Sequence, residues 1–162
     1  MIVKVRIQTE DFDVNEECAR LADGKNNIGA IVTFTGLCRD EEGRLSALEL
    51  EHYPGMAEAK ILEIVEQAES RWPLQGVTVI HRVGRIKPGA NIVLVVTASS
   101  HRRAAFEAAE FLMDFLKTSA PFWKKEHPAD AGLADANTAT ETRWVSAQDA
   151  DDEATKRWQV KE

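Results

Sequence analysis

Residues 28–35 read Ile-Gly-Ala-Ile-Val-Thr-Phe-Thr and stop at Gly36, an apolar, β-branched run that predicts a strand buried on both faces. Such a strand needs an apolar layer on each side, so the chain is expected to fold as stacked layers of sheet and helix. With 162 residues, 44% of them hydrophobic, it can bury one substantial core and is short for two, so a single domain over 1–162 is expected.

Periodicity sets out the rest. Val3, Val5 and Ile7 alternate with Lys4 and Arg6 as a half-buried strand. Asp13 followed by Glu16 has the form of a capping box, opening a short helix with Val14, Cys18, Leu21 and Ala22 that Gly24 ends. Leu37 to Gly43 is a polar loop, after which Leu45 to Tyr53 alternates and is expected to return against residues 28–35 as a hairpin. Met56 to Trp72 carries Ala57, Ile61, Ile64, Val65 and Ala68 on one helical face and is closed by Pro73. Val77, Val79, His81 and Val83 alternate as a strand, Lys87-Pro88-Gly89 turns the chain, and Asn91 to Ala98 predicts another buried strand. Ser99 or Ser100 is expected to cap a helix with Ala105, Phe106, Ala109, Leu112, Met113 and Leu116 on one face, ending near Lys117 ahead of Pro121. From His127 to Thr140 the chain is rich in Ala, Asp, Asn and Thr without a period, which predicts a flexible loop; Trp144, Val145 and Trp158 then anchor a tail that packs back. The order β-α-β-β-α-β-β-α gives an α+β domain with a mixed, largely antiparallel sheet and helices packed on it.

The formal charge of -7 excludes bulk attraction to nucleic acid or to an anionic membrane, so any anionic ligand has to be held by a local basic cluster. No segment approaches the roughly 20 apolar residues of a membrane span, and Met1 leads straight into the first strand rather than into a signal peptide, so a cytoplasmic location is expected. Cys18 and Cys38, with His52, His81, His101 and His127, have no metal-ligand spacing, so neither a structural zinc nor a disulfide framework is expected.

Basic groups gather at element ends: Arg39 after the first apolar run, His101-Arg102-Arg103 between a strand and a helix, Lys117 at a helix end, and Lys124-Lys125 beyond it. Any one alone reads as a solvated charge, but strand and helix ends are where loops converge into sites. The His-Arg-Arg step suits an anion, since free backbone N–H groups and the helix dipole add to two guanidinium forks. His81 lies in phase with Val77, Val79 and Val83, reads as a hydrogen-bonded core histidine, and is left outside the site. Between Lys117 and Lys124, Pro121 bends the chain, so the two lysines can flank a pocket roofed by Phe122 and Trp123, where desolvation and like charge would lower their pKa values. Equally, Phe122 and Trp123 can be core anchors past which the lysines snorkel. On the residues alone both readings stay open.

These stretches follow one another in a fixed order: Gly29-Ala30-Ile31-Val32-Thr33-Phe34-Thr35-Gly36 then Arg39; Leu50-Glu51-His52-Tyr53-Pro54-Gly55-Met56; Ile80-His81-Arg82-Val83-Gly84; Ser100-His101-Arg102 with Ala105-Phe106; Lys117 through Glu126; and Arg143-Trp144-Val145. Each is weak alone. In this order they resemble the catalytic, large subunit of molybdopterin synthase.

The resemblance implies an α/β-hammerhead-like form of the α+β domain and a homodimer, each copy binding a small ubiquitin-like sulphur carrier to make a heterotetramer. The carrier's C-terminal Gly-Gly thiocarboxylate would enter the active-site pocket and pass sulphur, in two rounds, to cyclic pyranopterin monophosphate, giving the dithiolene of molybdopterin without a metal or redox cofactor. Position by position, it implies Lys117 and Lys124 as catalytic residues and Arg39, His101, Arg102, Lys125 and Glu126 as substrate-binding ones, with Leu37, Cys38, Phe34, Met113 and Arg143 as further candidates. The chain departs from the family pattern in the Leu37-Cys38 pair before Arg39 and in the length of the 127–140 stretch. Cys38, with no base placed near it by sequence, reads as a small buried apolar residue rather than a persulfide carrier. The chain ends Gln159-Val160-Lys161-Glu162 and lacks a terminal Gly-Gly, so the carrier is expected to be another protein. Two other readings compete: a non-catalytic docking module for a ubiquitin-like partner or phosphorylated metabolite, and an unrelated phosphate-binding α+β enzyme. Paired lysines about a proline bend speak against the first, and the whole ordered set against the second.

Overall fold

The computed structural model describes residues 1–129, 143–145 and 149–159. In chain order the elements are β1 (Ile2–Gln8), α1 (Val14–Ala22), β2 (Ala30–Leu37), β3 (Leu45–His52), α2 (Met56–Arg71), β4 (Leu74–Arg82), β5 (Gly84–Ile86), β6 (Asn91–Ser99), α3 (Arg102–Thr118), β7 (Phe122–Pro128), β8 (Arg143–Val145) and α4 (Asp149–Lys156). The α+β class and mixed strand directions are as expected, but the strands divide into two sheets. One is ordered β1-β4-β6-β2 and the other β5-β3-β7-β8; β1 runs parallel to β4, and the other pairs are antiparallel.

The first sheet is the centre of the molecule. Along β6, Val93 and Val95 join the core beneath α2 and α3 with Ile61, Ile64, Phe111 and Leu112. The alternate residues Leu94 and Val96 meet Leu21 of α1 on the opposite face, as the period of two in a strand requires. Burial on both faces therefore belongs to β4 and β6, whose residues Val77 to Ile80 and Val93 to Ser99 are all buried. It does not belong to β2. That strand lies at the sheet edge, with Phe34 40% and Leu37 56% exposed; β-branched composition reports a fit to a pleated surface, not which side of it is covered.

The expected hairpin of β2 with β3 does not form, because β2 pairs with β6 whereas β3 pairs with β5 and β7. The polar link after β2 carries the chain from one sheet to the other. It is held to the β5–β6 turn by the Cys38 N–H, which donates to the Ala90 carbonyl at 2.8 Å, and by the Gly89 N–H, which donates to the Cys38 carbonyl at 2.7 Å. Alternation in residues 45–53 was compatible with either partner.

Helix boundaries follow their local chemistry. The Asp13 carboxylate accepts from the Glu16 N–H at 3.0 Å to start α1, and Gly24 at φ +66 takes the left-handed conformation just past its end. The N-cap of α3 is His101 rather than Ser99 or Ser100; Ser99 remains in β6, where its hydroxyl donates to the Pro73 carbonyl at 2.8 Å. Strands β5, β7 and β8 and helix α4 were not expected. His127 and Pro128, expected to begin a loop, belong to β7, and 130–140 lie outside the described residues.

The tail packs back as Trp158 predicts. Its indole meets Trp72 and Phe111 edge-on, at ring-centroid distances of 5.6 and 5.5 Å, and its Nε1 donates to the Asp114 carboxylate at 2.6 Å. Trp158→Ala removes both the aromatic contacts and that hydrogen bond, and is expected to lower stability by about 2 kcal/mol, less than a fully buried tryptophan because this one is half-buried. Urea unfolding of parent and variant checks it.

Candidate active site

Where the two sheets and the end of α3 meet, they enclose a cleft of about 790 Å³. Four pieces of chain build it. From β2, Phe34, Gly36, Leu37, Cys38 and Arg39 form one wall. The β2–β6 register shifts between Gly36 and Leu37, and a Cβ on Gly36 would come within 2.7 Å of Val93 Cγ1, so only glycine lets the strand swing outward at this point. Cys38 then turns inward, 3% exposed, and Arg39 emerges at the rim with its side chain 79% exposed and a 2.5 Å ion pair to Glu41.

The second piece is β7. Phe122, Lys124 and Glu126 face the cleft beside Leu48 and Leu50 of β3, and β3 and β7 pair Leu50 with Lys124 and Leu48 with Glu126. The period of two sends Trp123, Lys125 and His127 to the other face. There Lys125 is paired across the strands with Glu49, whose carboxylate accepts from His127 Nε2 at 2.6 Å. That bond, with the nearby charges of Lys125 and Arg85, holds the Glu49 carboxyl below its usual value. The last two turns of α3 supply the third piece, Met113, Leu116 and Lys117.

The fourth piece is His81 of β4, which sequence reasoning left out. It is a buried core histidine, as its phase implied, and it also lines the cleft. Its ring stacks on Phe122 at a centroid distance of 3.9 Å and 12°, and its Nδ1 is 2.8 Å from the Arg82 carbonyl. Burial, with the charges of Lys124 and His52 nearby, lowers its pKa to about 4. Nothing in a single strand pattern could reveal that the end of β4 opens on a cleft made by three other elements.

One chain thus brings together Lys117, Lys124, Arg39, Glu126, Phe34, Leu37, Cys38 and Met113. Phe122 is both core anchor and cleft wall, whereas Trp123, 47% exposed, neither anchors the core nor roofs the cleft. Burial pushes the Cys38 thiol up, which suits a packing role and not a nucleophile. Arg143 stands opposite Glu126 in β8. His101 and Arg102 do not join the cluster. They sit where Ser99 pairs with Ala30, at the other end of β2 from the Leu37–Asn91 pair beside the cleft, a separation of about 24 Å along strand or helix. Among the described residues no three His, Cys, Asp or Glu side chains gather as a metal-binding group, and no helix is long and apolar enough to cross a membrane.

Comparison with known proteins gives this arrangement a family. The model of the MoaE protein family matches residues 7–119. The chain belongs to the MoaE family. This MoaE chain is 62% identical over 154 residues to the molybdopterin synthase catalytic subunit of Mesorhizobium japonicum, covering 95% of this chain and 92% of that one. It is similar in structure to the molybdopterin biosynthesis MoaE protein from Burkholderia ambifaria, with TM-score 0.80, 45% identity, and coverage of 99% and 100%. A more distant likeness, with TM-score 0.64, 22% identity, and coverage of 78% and 84%, is to a protein–protein complex of subunits 1 and 2 of molybdopterin-converting factor from Helicobacter pylori; it extends the match in fold.

Proposed function

We propose that this MoaE-family chain is the catalytic subunit of a molybdopterin synthase, moving sulphur from the C-terminal thiocarboxylate of a ubiquitin-like carrier to cyclic pyranopterin monophosphate. The observation that carries this reading is the convergence of Arg39, Lys117 and Lys124, from three separate elements, on one cleft with an apolar floor. Two lysines and an arginine suit a substrate with a phosphate and a partner ending in a thiocarboxylate; the apolar floor of Leu48, Leu50 and Met113 suits a flat ring system.

The chemistry asks for charge stabilisation more than for a redox group. Thiocarboxylate sulphur attacks an electrophilic carbon of the precursor, forming the C–S bond as the carbon–oxygen bond at that carbon breaks and its oxygen leaves, as a phosphate oxygen or, once protonated, as water. Water then cleaves the resulting acyl–sulphur bond, leaving sulphur on the pterin and a carboxylate on the carrier. Lys117 and Lys124 stabilise the oxyanion of the acyl carbon and relay protons, and Arg39 clamps the phosphate. In this reading the reaction needs no cofactor and takes place in the cytoplasm.

His101 and Arg102 enter through a homodimer. The open edge of β2 carries the exposed Phe34, and Phe106 beside it on α3 is 61% exposed, a pattern that invites a partner strand or face. A two-fold arrangement running β2 against its copy would set the His-Arg-Arg step of the second copy beside the first copy's Arg39 and complete the anion site. Two carriers on such a dimer make the heterotetramer, and the complex named for the Helicobacter pylori relative favours a two-subunit assembly.

Reconstitution tests the reading: product from the precursor that requires both this chain and a thiocarboxylated carrier, with a 2:2 complex in sedimentation. A stable complex that makes no product would instead favour the docking module. Within that assay Arg39→Ala is expected to raise the KM for the precursor about tenfold or more with kcat little changed, since a charge-assisted contact is lost. Its surface ion pair with Glu41 contributes little to stability, and an unchanged KM would move the phosphate clamp elsewhere.

A further inference from the structure

His81 is built more carefully than a filler of the core requires. It ends a strand whose backbone is pinned: the Arg82 guanidinium donates to the Asn91 carbonyl at 2.9 Å and to the Thr9 carbonyl at 3.1 Å. The Arg82 carbonyl, held in place by that anchoring, faces His81 Nδ1 at 2.8 Å. A carbonyl can only accept, so Nδ1 carries the proton and Nε2 presents a lone pair. The stack on Phe122 fixes the plane of the ring.

Nε2 is then the group to explain. Among the described residues no hydrogen bond reaches it, yet the one buried side-chain polar atom sealed from solvent without a hydrogen bond is Gln75 Oε1. Nε2 is therefore not sealed, and in a residue only 9% exposed the opening is the cleft that His81 lines. A neutral acceptor of fixed tautomer and fixed plane thus looks into a cleft whose other polar side chains are the cationic donors Arg39, Lys117 and Lys124, the Glu126 carboxylate and the Thr35 hydroxyl.

We propose that His81 touches the substrate, its Nε2 accepting a hydrogen bond from an N–H or O–H donor of the heterocycle bound in the cleft. This rests on the sulphurtransferase reading above and adds to it the group that reads the ring rather than the phosphate. Its low pKa, about 4, keeps the lone pair available at neutral pH. Acceptance from a donor discriminates against ring forms that lack one, because their acceptors would face the imidazole lone pair unpaired.

The test uses His81→Phe, which keeps the volume and the stack on Phe122 but has no acceptor, beside His81→Gln, whose carbonyl can accept. Folding is checked by thermal unfolding and transfer is followed against precursor concentration. For folded His81→Phe the half-saturating concentration is expected to rise about tenfold with the maximal rate near the parent's, and His81→Gln to recover part of the loss. An unchanged half-saturation, or a fall in maximal rate alone, overturns the proposal. Should His81→Phe not fold, ¹⁵N-histidine NMR of the parent protein decides: the Nε2 resonance moves on adding cyclic pyranopterin monophosphate, and a resonance unmoved at saturation overturns it. Absence of product with the parent itself would defeat the sulphurtransferase reading instead, and leaves the NMR titration to judge His81 separately.

Discussion

Lys117→Ala is expected to lower single-turnover sulphur transfer on the order of a thousandfold, the upper end for removing one preorganised oxyanion donor, while leaving the fold intact. Lys117 is exposed in the last turn of α3, so truncating it removes little buried surface. The favourable interaction of its charge with the helix C-terminus amounts to about 0.5 kcal/mol. The backbone around it stays anchored by the Ser119 N–H, which donates to the Phe115 carbonyl at 2.8 Å, and by the Thr118 hydroxyl, which donates to the Asp114 carbonyl at 3.0 Å. A large loss of rate with an unchanged unfolding midpoint would place Lys117 in the chemistry, and near-normal turnover would remove it.

Acidification from pH 7 to pH 4 is expected to cost about 3 kcal/mol of stability through His81 alone, a little under the about 3.5 kcal/mol of the full shift of about 2.5 pKa units, because at pH 4 the folded imidazole is already half protonated. The folded-state pKa lies near 4, below the ordinary 6.5, because burial penalises the imidazolium. As the pH falls below 6.5 the unfolded chain takes up a proton that the folded one refuses. The contribution is therefore fully present above that pH and is lost progressively down to about 4. Urea unfolding at several pH values checks it: the parent should lose about that much stability relative to His81→Phe across this window, since the variant has nothing to titrate at this position. A pH-independent difference would mean that His81 is solvated enough to protonate in the folded state.

Much of this fold could be read from local pattern because local physics made it. Asp13 caps α1 and Ala57, Ile61, Ile64, Val65 and Ala68 face inward from α2, since capping and helical period depend only on near neighbours in sequence. What sequence could not decide was pairing. The alternation in residues 45–53 fitted either a hairpin with β2 or a place in a second sheet, and only the anchoring of Cys38 to the β5–β6 turn selects the latter. The same limit applies to the site. Arg39, Lys117 and Lys124 were recognisable as charges at element ends, but that Lys124 faces the cleft and Lys125 does not depends on Phe122–Pro128 being a strand paired with β3. His81 was assigned correctly to the core, and its second face, toward the cleft, depends on long-range packing that no strand period records.

The most direct measurement is a single turnover with purified chain, thiocarboxylated ubiquitin-like carrier and cyclic pyranopterin monophosphate, following the oxidised pterin derivative of the product. Product that appears only with this chain, and is nearly abolished in Lys117→Ala, is the expected result. A carrier complex that forms by gel filtration and yields no product would contradict the sulphurtransferase assignment and leave the cleft as a docking site.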